Sequence, residues 1–297
     1  MSNQRFSQRS IIQRTFGSTH GYITRLMSPS DLGQIVKPFV FLDIFSLNLR
    51  DGNPLDNMPL HPHSGIATIT VITEGKVHYD DPHSGSGSLT YGGVEWSCAG
   101  GGMWHGKELS VNTGVPYIQG FQLWIALPRE VENGLSESHY IEAKNMHRTG
   151  PAFIILGSYE GVQSPVPAPK GMNYLLVTLS AGEIWTYQPP LGHSVAWLAV
   201  ATGQLSTGED SLVNAGEMVI FEQGETPLTL KTSGNEKVIF VLGSAVPHPY
   251  TLHLGNYSVH TSAQALKSGE QRISELGKNL REAERKKTAL GIIPVFR

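Results

Sequence analysis

His61-Pro62-His63 and, far downstream, His105 are the residues of this chain whose type and spacing could do chemistry. Side chains two apart on a β-strand project to the same face. His61 and His63 therefore predict two imidazoles side by side. A second strand ending in Met103-Trp104-His105 could bring a third. Imidazole suits iron, zinc, copper and nickel. The glycines at 100, 101 and 102 put His105 at a tight strand junction, where backbones approach closely.

A carboxylate beside such a set would serve as a ligand or a general base. Glu108 is the nearest, and Lys107 stands between it and the histidine strand. On a regular strand Lys107 shares the face of His105 and Glu108 points away. A lysine ammonium has no lone pair to offer a metal. A bulge at Gly106 would reverse the two, turning Glu108 inward and Lys107 outward.

Other groups compete for attention. His78, Asp80, Asp81 and His83 mix imidazole and carboxylate but adjoin Gly85-Ser86-Gly87, and read as a solvated loop. Cys98 reads as a small buried hydrophobe. Trp96, Met103, Trp104 and Phe121 could form an apolar wall for an aromatic ligand. No serine shows a nucleophile elbow.

The elements that must position these residues read as strands. Short apolar or alternating runs recur between Gly and Pro turns: 38–45, 66–73, 76–80, 88–91, 95–99, 102–109 and 118–126. Residues 17–27 read as one further strand. With 33 Gly, 18 Pro and only 16% charged residues, the chain predicts an all-β fold. A similar pattern repeats after a Pro-containing loop at 160–169, with strands near 175–180, 182–187, 194–202, 216–221 and 238–243. The reading is two β-barrels, 1–160 and 161–297, with the candidate metal site in the first alone. Residues 262–287, rich in helix formers with Ile273, Leu276 and Leu280 as an apolar stripe, predict a C-terminal helix packed on the barrels.

The net charge of −3 gives no electrostatic case for nucleic-acid binding. No apolar run is long enough to span a bilayer. A single cysteine suits a reducing compartment, and the expected location is the cytoplasm.

Several segments resemble the pirins, bicupin proteins of the cupin superfamily. His61-Pro62-His63-Ser64-Gly65 is similar to the family's His-Pro-His-Arg-Gly. The stretch from Trp96 to His105 is similar to its Trp-Met-Thr-Ala-Gly-x-Gly-x-x-His, and Pro38 to Asp43 to its Asp-Pro-Phe-x-x-Leu-Asp. The resemblance implies two cupin barrels with one divalent transition metal, iron foremost, in the N-terminal one. It implies ligation by His61, His63 and His105. The family's fourth ligand, a Glu two residues after the last histidine, is Lys107 here, and a further family Glu is Ala67. The bulge at Gly106 would restore a three-His, one-Glu set through Glu108. Some pirins resemble quercetin 2,3-dioxygenases; others are regulators that bind protein partners. The resemblance thus implies a metal-dependent dioxygenase of a flavonol-like, small aromatic substrate, with Glu108 as base. The alternative is a metal-poor module with a protein partner.

Overall fold

Glycine-bounded alternating segments leave little for helices to use, and strands dominate. The computed structural model describes residues 9–51, 59–81, 84–111, 114–208 and 211–285. Among them the one α-helix is Ala263–Arg285. The fold is all-β, of bicupin type, with a C-terminal helix. No helix among the described residues is long and apolar enough to cross a membrane.

The chain forms two compact units, but not by a cut at residue 160. Among the described residues, one takes 27–145 and 249–285; the other takes 9–26 and 146–248. Long-range pairing is the reason. Ile11–Thr15 pairs antiparallel with Met218–Phe221. The helix packs on Met103–His105, His253–Leu254 and Val259–His260.

In the histidine-bearing unit, five antiparallel strands run in the order Glu137–Ile141, Val94–Cys98, Ile66–Glu74, Tyr117–Ala126, Phe39–Asn48. A smaller sheet joins Leu109–Val111, Val77–Asp81 and Gly85–Leu89. The two-residue period gives the larger sheet two unlike faces. One is apolar, with Trp96, Ile69, Leu123 and Leu42 in one row. The other carries Tyr140, Glu95, Thr70, Gln122 and Asp43 in one row, then Ser138, Ser97, Thr68, Trp124 and Phe41 in the next. Glu95, Thr70, Asp43, Ser97 and Thr68 are all buried. A buried polar face has to be repaid by hydrogen bonds or by a function, because burial of unpaired polar groups is costly.

Two sequence expectations change in this half of the chain. Residues 17–27 form a hairpin, Ser18–His20 with Ile23–Met27, turning at Gly21 rather than running straight. The expected strand over 102–109 is broken: Met103–His105 and Leu109–Val111 are separate strands in different ladders.

The other unit repeats the design. Its larger sheet orders Ile11–Thr15, Met218–Phe221, Val195–Thr202, Val238–Ala245, Met172–Leu179, Ala152–Leu156 and Arg148–Thr149. Its smaller sheet orders Ile184–Tyr187, Leu228–Thr232, Gln204–Ser206 and Leu212–Asn214. Here Leu175, Val177, Leu198, Phe240 and Leu242 pack together as an apolar core.

Candidate metal centre

His61 and His63 lie on a three-residue strand that pairs antiparallel with Met103–His105, so that His61 faces His105 and His63 faces Met103. The three imidazoles converge. Their ligand-type nitrogens all lie within 4.8 Å of one another. Ring centroids are 4.7 Å apart for His61 and His105, 4.9 Å for His61 and His63, and 5.2 Å for His63 and His105. His63 and His105 are buried, and His61 is half-buried.

Two of the rings are held by backbone carbonyls. His61 Nδ1 is 3.1 Å from the Pro59 oxygen, and His63 Nδ1 is 3.2 Å from the Tyr257 oxygen. A carbonyl only accepts, so each Nδ1 is the N–H donor, and Nε2 is the ligand atom of a neutral ring. Burial, with His61 alongside, pushes the His63 pKa down to about 3. It is thus the neutral base that a metal ligand must be. Orientation through the second ring nitrogen is how metal-binding histidines are commonly set.

Gly106 explains the break in the strand. Its φ is +129°, and a Cβ there would lie 2.8 Å from the Pro59 oxygen and 3.1 Å from His61 Nδ1. Only glycine lets the backbone turn this close to the ring. Beyond it Lys107 is exposed and Glu108 is buried, 6% exposed. That is the orientation expected of a bulge, although the geometry is a strand end. The carboxylate itself does not join the trio: Glu108 lies outside the 4.8 Å group. Its Oε2 accepts the N–H groups of Gly106, at 2.8 Å, and Lys107, at 2.9 Å. Oε1 is buried with no hydrogen-bond partner among the described residues. Oε2 of the expected fourth ligand thus caps its own turn through two backbone donors.

Glu95 is a second buried carboxyl that sequence reasoning missed. Tyr140 donates to its Oε1 at 3.3 Å, and Tyr79 stacks on Tyr140 at 4.6 Å. Burial, more than the neighbouring Glu108 and Asp81 charges, pushes the Glu95 pKa up to about 7. The same causes push the Tyr140 hydroxyl far above its ordinary range. A signal existed in the sequence: an acid between Val94 and Trp96 interrupts an otherwise buried strand.

The aromatic wall also differs from the expected one. Trp96 and Phe121 lie on the apolar face of the sheet, away from the Glu95 row. The rings that meet the trio are Trp124 and Tyr257, 4.8 Å and 6.2 Å from His63, and Phe41 stacks on Trp124 at 4.1 Å. Trp104 turns to the helix and donates Nε1–H to the Ile273 carbonyl at 2.7 Å. Met103 is fully buried. Burial pushes the Cys98 thiol up to about 11, so it is no thiolate nucleophile at neutral pH. On Val77–Asp81, Asp80 is exposed while Asp81 is buried on the opposite face and accepts the Ser84 N–H. His83 lies outside the described residues.

A cupin barrel with three converging imidazoles and a polar inner face is the architecture of a cupin metal centre. The family model for pirins matches residues 21–125. Pirin-like protein 2 of Arabidopsis thaliana is 26% identical over 280 residues, covering 89% of this chain and 84% of its own. Among solved structures, a quercetin 2,3-dioxygenase from Acinetobacter baumannii has a TM-score of 0.75 at 20% identity, covering 94% of this chain and 98% of that one. The bacterial pirin YhhW of Escherichia coli, solved in complex with nickel(II), has a TM-score of 0.58 at 15% identity, covering 82% and 99%. The pirin model over residues 21–125 and the pirin-like relatives along most of the chain support reading it as a pirin-type cupin protein.

Proposed function

We propose that this protein is a metal-dependent dioxygenase of the quercetin type, acting on a small aromatic substrate with an enolisable hydroxyl. One observation carries the reading: His61, His63 and His105 converge with the Nδ1 atoms of two of them fixed. The donor set fits a divalent transition metal, iron foremost; the pirin solved with nickel(II) makes nickel the second candidate. When bound, such an ion supplies Lewis acidity and a redox centre with open positions for substrate and dioxygen.

The chain's own groups would do the rest. Trp124, backed by Phe41, offers an aromatic surface beside His63. The unpartnered Oε1 of Glu108 is the candidate acceptor for the substrate hydroxyl proton. The buried rings and the apolar face behind the sheet would keep water from competing. The test is to load metal-free protein with iron(II) or nickel(II) and follow oxygen uptake and flavonol absorbance. Oxygen uptake that tracks metal and is lost in His63→Ala supports the reading; no uptake with either metal overturns it.

A second reading has its own observation. Glu108 is taken by backbone donors and Lys107 stands at the family's Glu position. A site short of its carboxylate suits a metal-poor cytoplasmic module that binds a protein partner. Metal content of protein purified without a histidine tag separates the two.

A further inference from the structure

We propose that Ser64, His260 and Glu132 form a positioning triad through which the C-terminal segment sets the metal affinity of the histidine trio. The inference rests on the metal-centre reading above.

Ser64 directly follows His63, and it is fully buried. Its hydroxyl donates to Ser258 Oγ at 2.8 Å and shares a 3.0 Å hydrogen bond with His260 Nε2. His260 Nδ1 lies 3.3 Å from Glu132 Oε2. Glu132 is 2% exposed and accepts the Thr261 N–H at 2.6 Å and the Thr261 hydroxyl at 2.7 Å. The order Ser–His–acid is that of a hydrolase triad, but a fully buried serine with a committed hydroxyl can reach no substrate. What it does hold is the end of the strand that carries His63.

Three further contacts tie the same two regions. Val259 N–H donates to the Ser64 carbonyl at 3.2 Å. The carbonyl that fixes His63 Nδ1 belongs to Tyr257. Gly65, at φ +73°, has no room for a Cβ against the Val259 oxygen and the His260 ring. The helix closes the arrangement. A Cβ on Gly269 would run into Ser64 Oγ and His260 Nε2, and Trp104, the neighbour of His105, is anchored on the Ile273 carbonyl. Both histidine strands are thus braced from residues 257–273. His260 Nδ1 and Glu132 Oε2 are in ion-pair range without a hydrogen bond between them, while the Ser64–His260 and Glu132–Thr261 hydrogen bonds hold the ends of the network; buried polar networks of this kind favour one geometry. Fixing it before the ion arrives favours binding.

The test uses full-length, metal-free protein and cobalt(II), whose visible bands report the imidazole set. His260→Ala and Glu132→Ala should weaken cobalt binding by about 10- to 100-fold and shift the bands, with His260→Gln intermediate. Gly269→Ala deletes no triad side chain, pushes on Ser64 Oγ and His260 Nε2 from the helix, and favours the helix itself, so it reports if the other variants fail to fold. It should weaken cobalt binding while far-UV dichroism is unchanged. If the parent binds cobalt and the folded variants bind within about twofold with the same spectrum, the triad does not position the site. If the parent binds none, the metal-centre reading falls first and this inference with it.

Discussion

Tyr140 donates its phenolic hydrogen to Glu95 Oε1 across 3.3 Å, inside the unit that carries the three histidines. Glu95 is buried and Tyr140 half-buried, with carboxylates nearby, and the first prediction follows from that. The Glu95 pKa rises from 4.5 to about 7, burial being the largest cause. The folded state therefore holds a proton that the unfolded chain releases near pH 4.5. Stability falls as pH rises from about 4.5 through about 7, and is flat above. Glu95→Gln keeps the shape and the acceptor for Tyr140 but cannot ionise. The variant should match the parent near pH 4.5 and exceed it at pH 8 by up to about 3 kcal/mol. Denaturant melts of metal-free protein across this range check it; a gap independent of pH would show that Glu95 is ionised in the fold.

Gly106→Ala tests the close approach to His61. The added methyl meets the Pro59 oxygen and the His61 ring at a φ of +129°. The expected cost is about 1–3 kcal/mol, with a loss of metal affinity because His61 must move. Thermal melts and metal titration read the two effects. A variant that melts with the parent and binds metal equally well would contradict the packing described.

Lys107 and Glu108 should behave oppositely. Lys107 is exposed, and Lys107→Ala should stay within about 0.5 kcal/mol of the parent. Glu108→Ala strips two backbone N–H groups of their acceptor and should cost about 1–3 kcal/mol. Metal affinity should fall less in Glu108→Ala than in His105→Ala, since the carboxylate stands outside the imidazole group. Metal affinity measured side by side for these variants decides it. Equal losses in Glu108→Ala and His105→Ala would make Glu108 a ligand after all.

Trp104→Phe removes the indole N–H that holds the Ile273 carbonyl. A loss of about 0.5–1.5 kcal/mol is expected, with faster amide exchange in the helix. Unchanged exchange across residues 263–285 would show that the helix docks without it.

The sequence by itself determined what is local. The two-residue period aligned His61 with His63, glycines marked most turns, and helix-forming residues after 262 specified the helix, seen as Ala263–Arg285. The sequence left the orientation of Lys107 and Glu108 open, since Gly106 allows a reversal without requiring it. Tertiary structure decided what depends on distant partners. Glu108 became a cap because the Gly106 and Lys107 N–H groups reached it first. Glu95 became a buried acid because Thr70 and Tyr140 flank it in adjacent strands. His260, Glu132 and Ser64 met only when the chain's end returned to the first barrel, just as Ile11–Thr15 joined a sheet some two hundred residues away. Strand period is written into neighbouring residues; which strand lies alongside is set by the burial of whole faces, and no local window contains it.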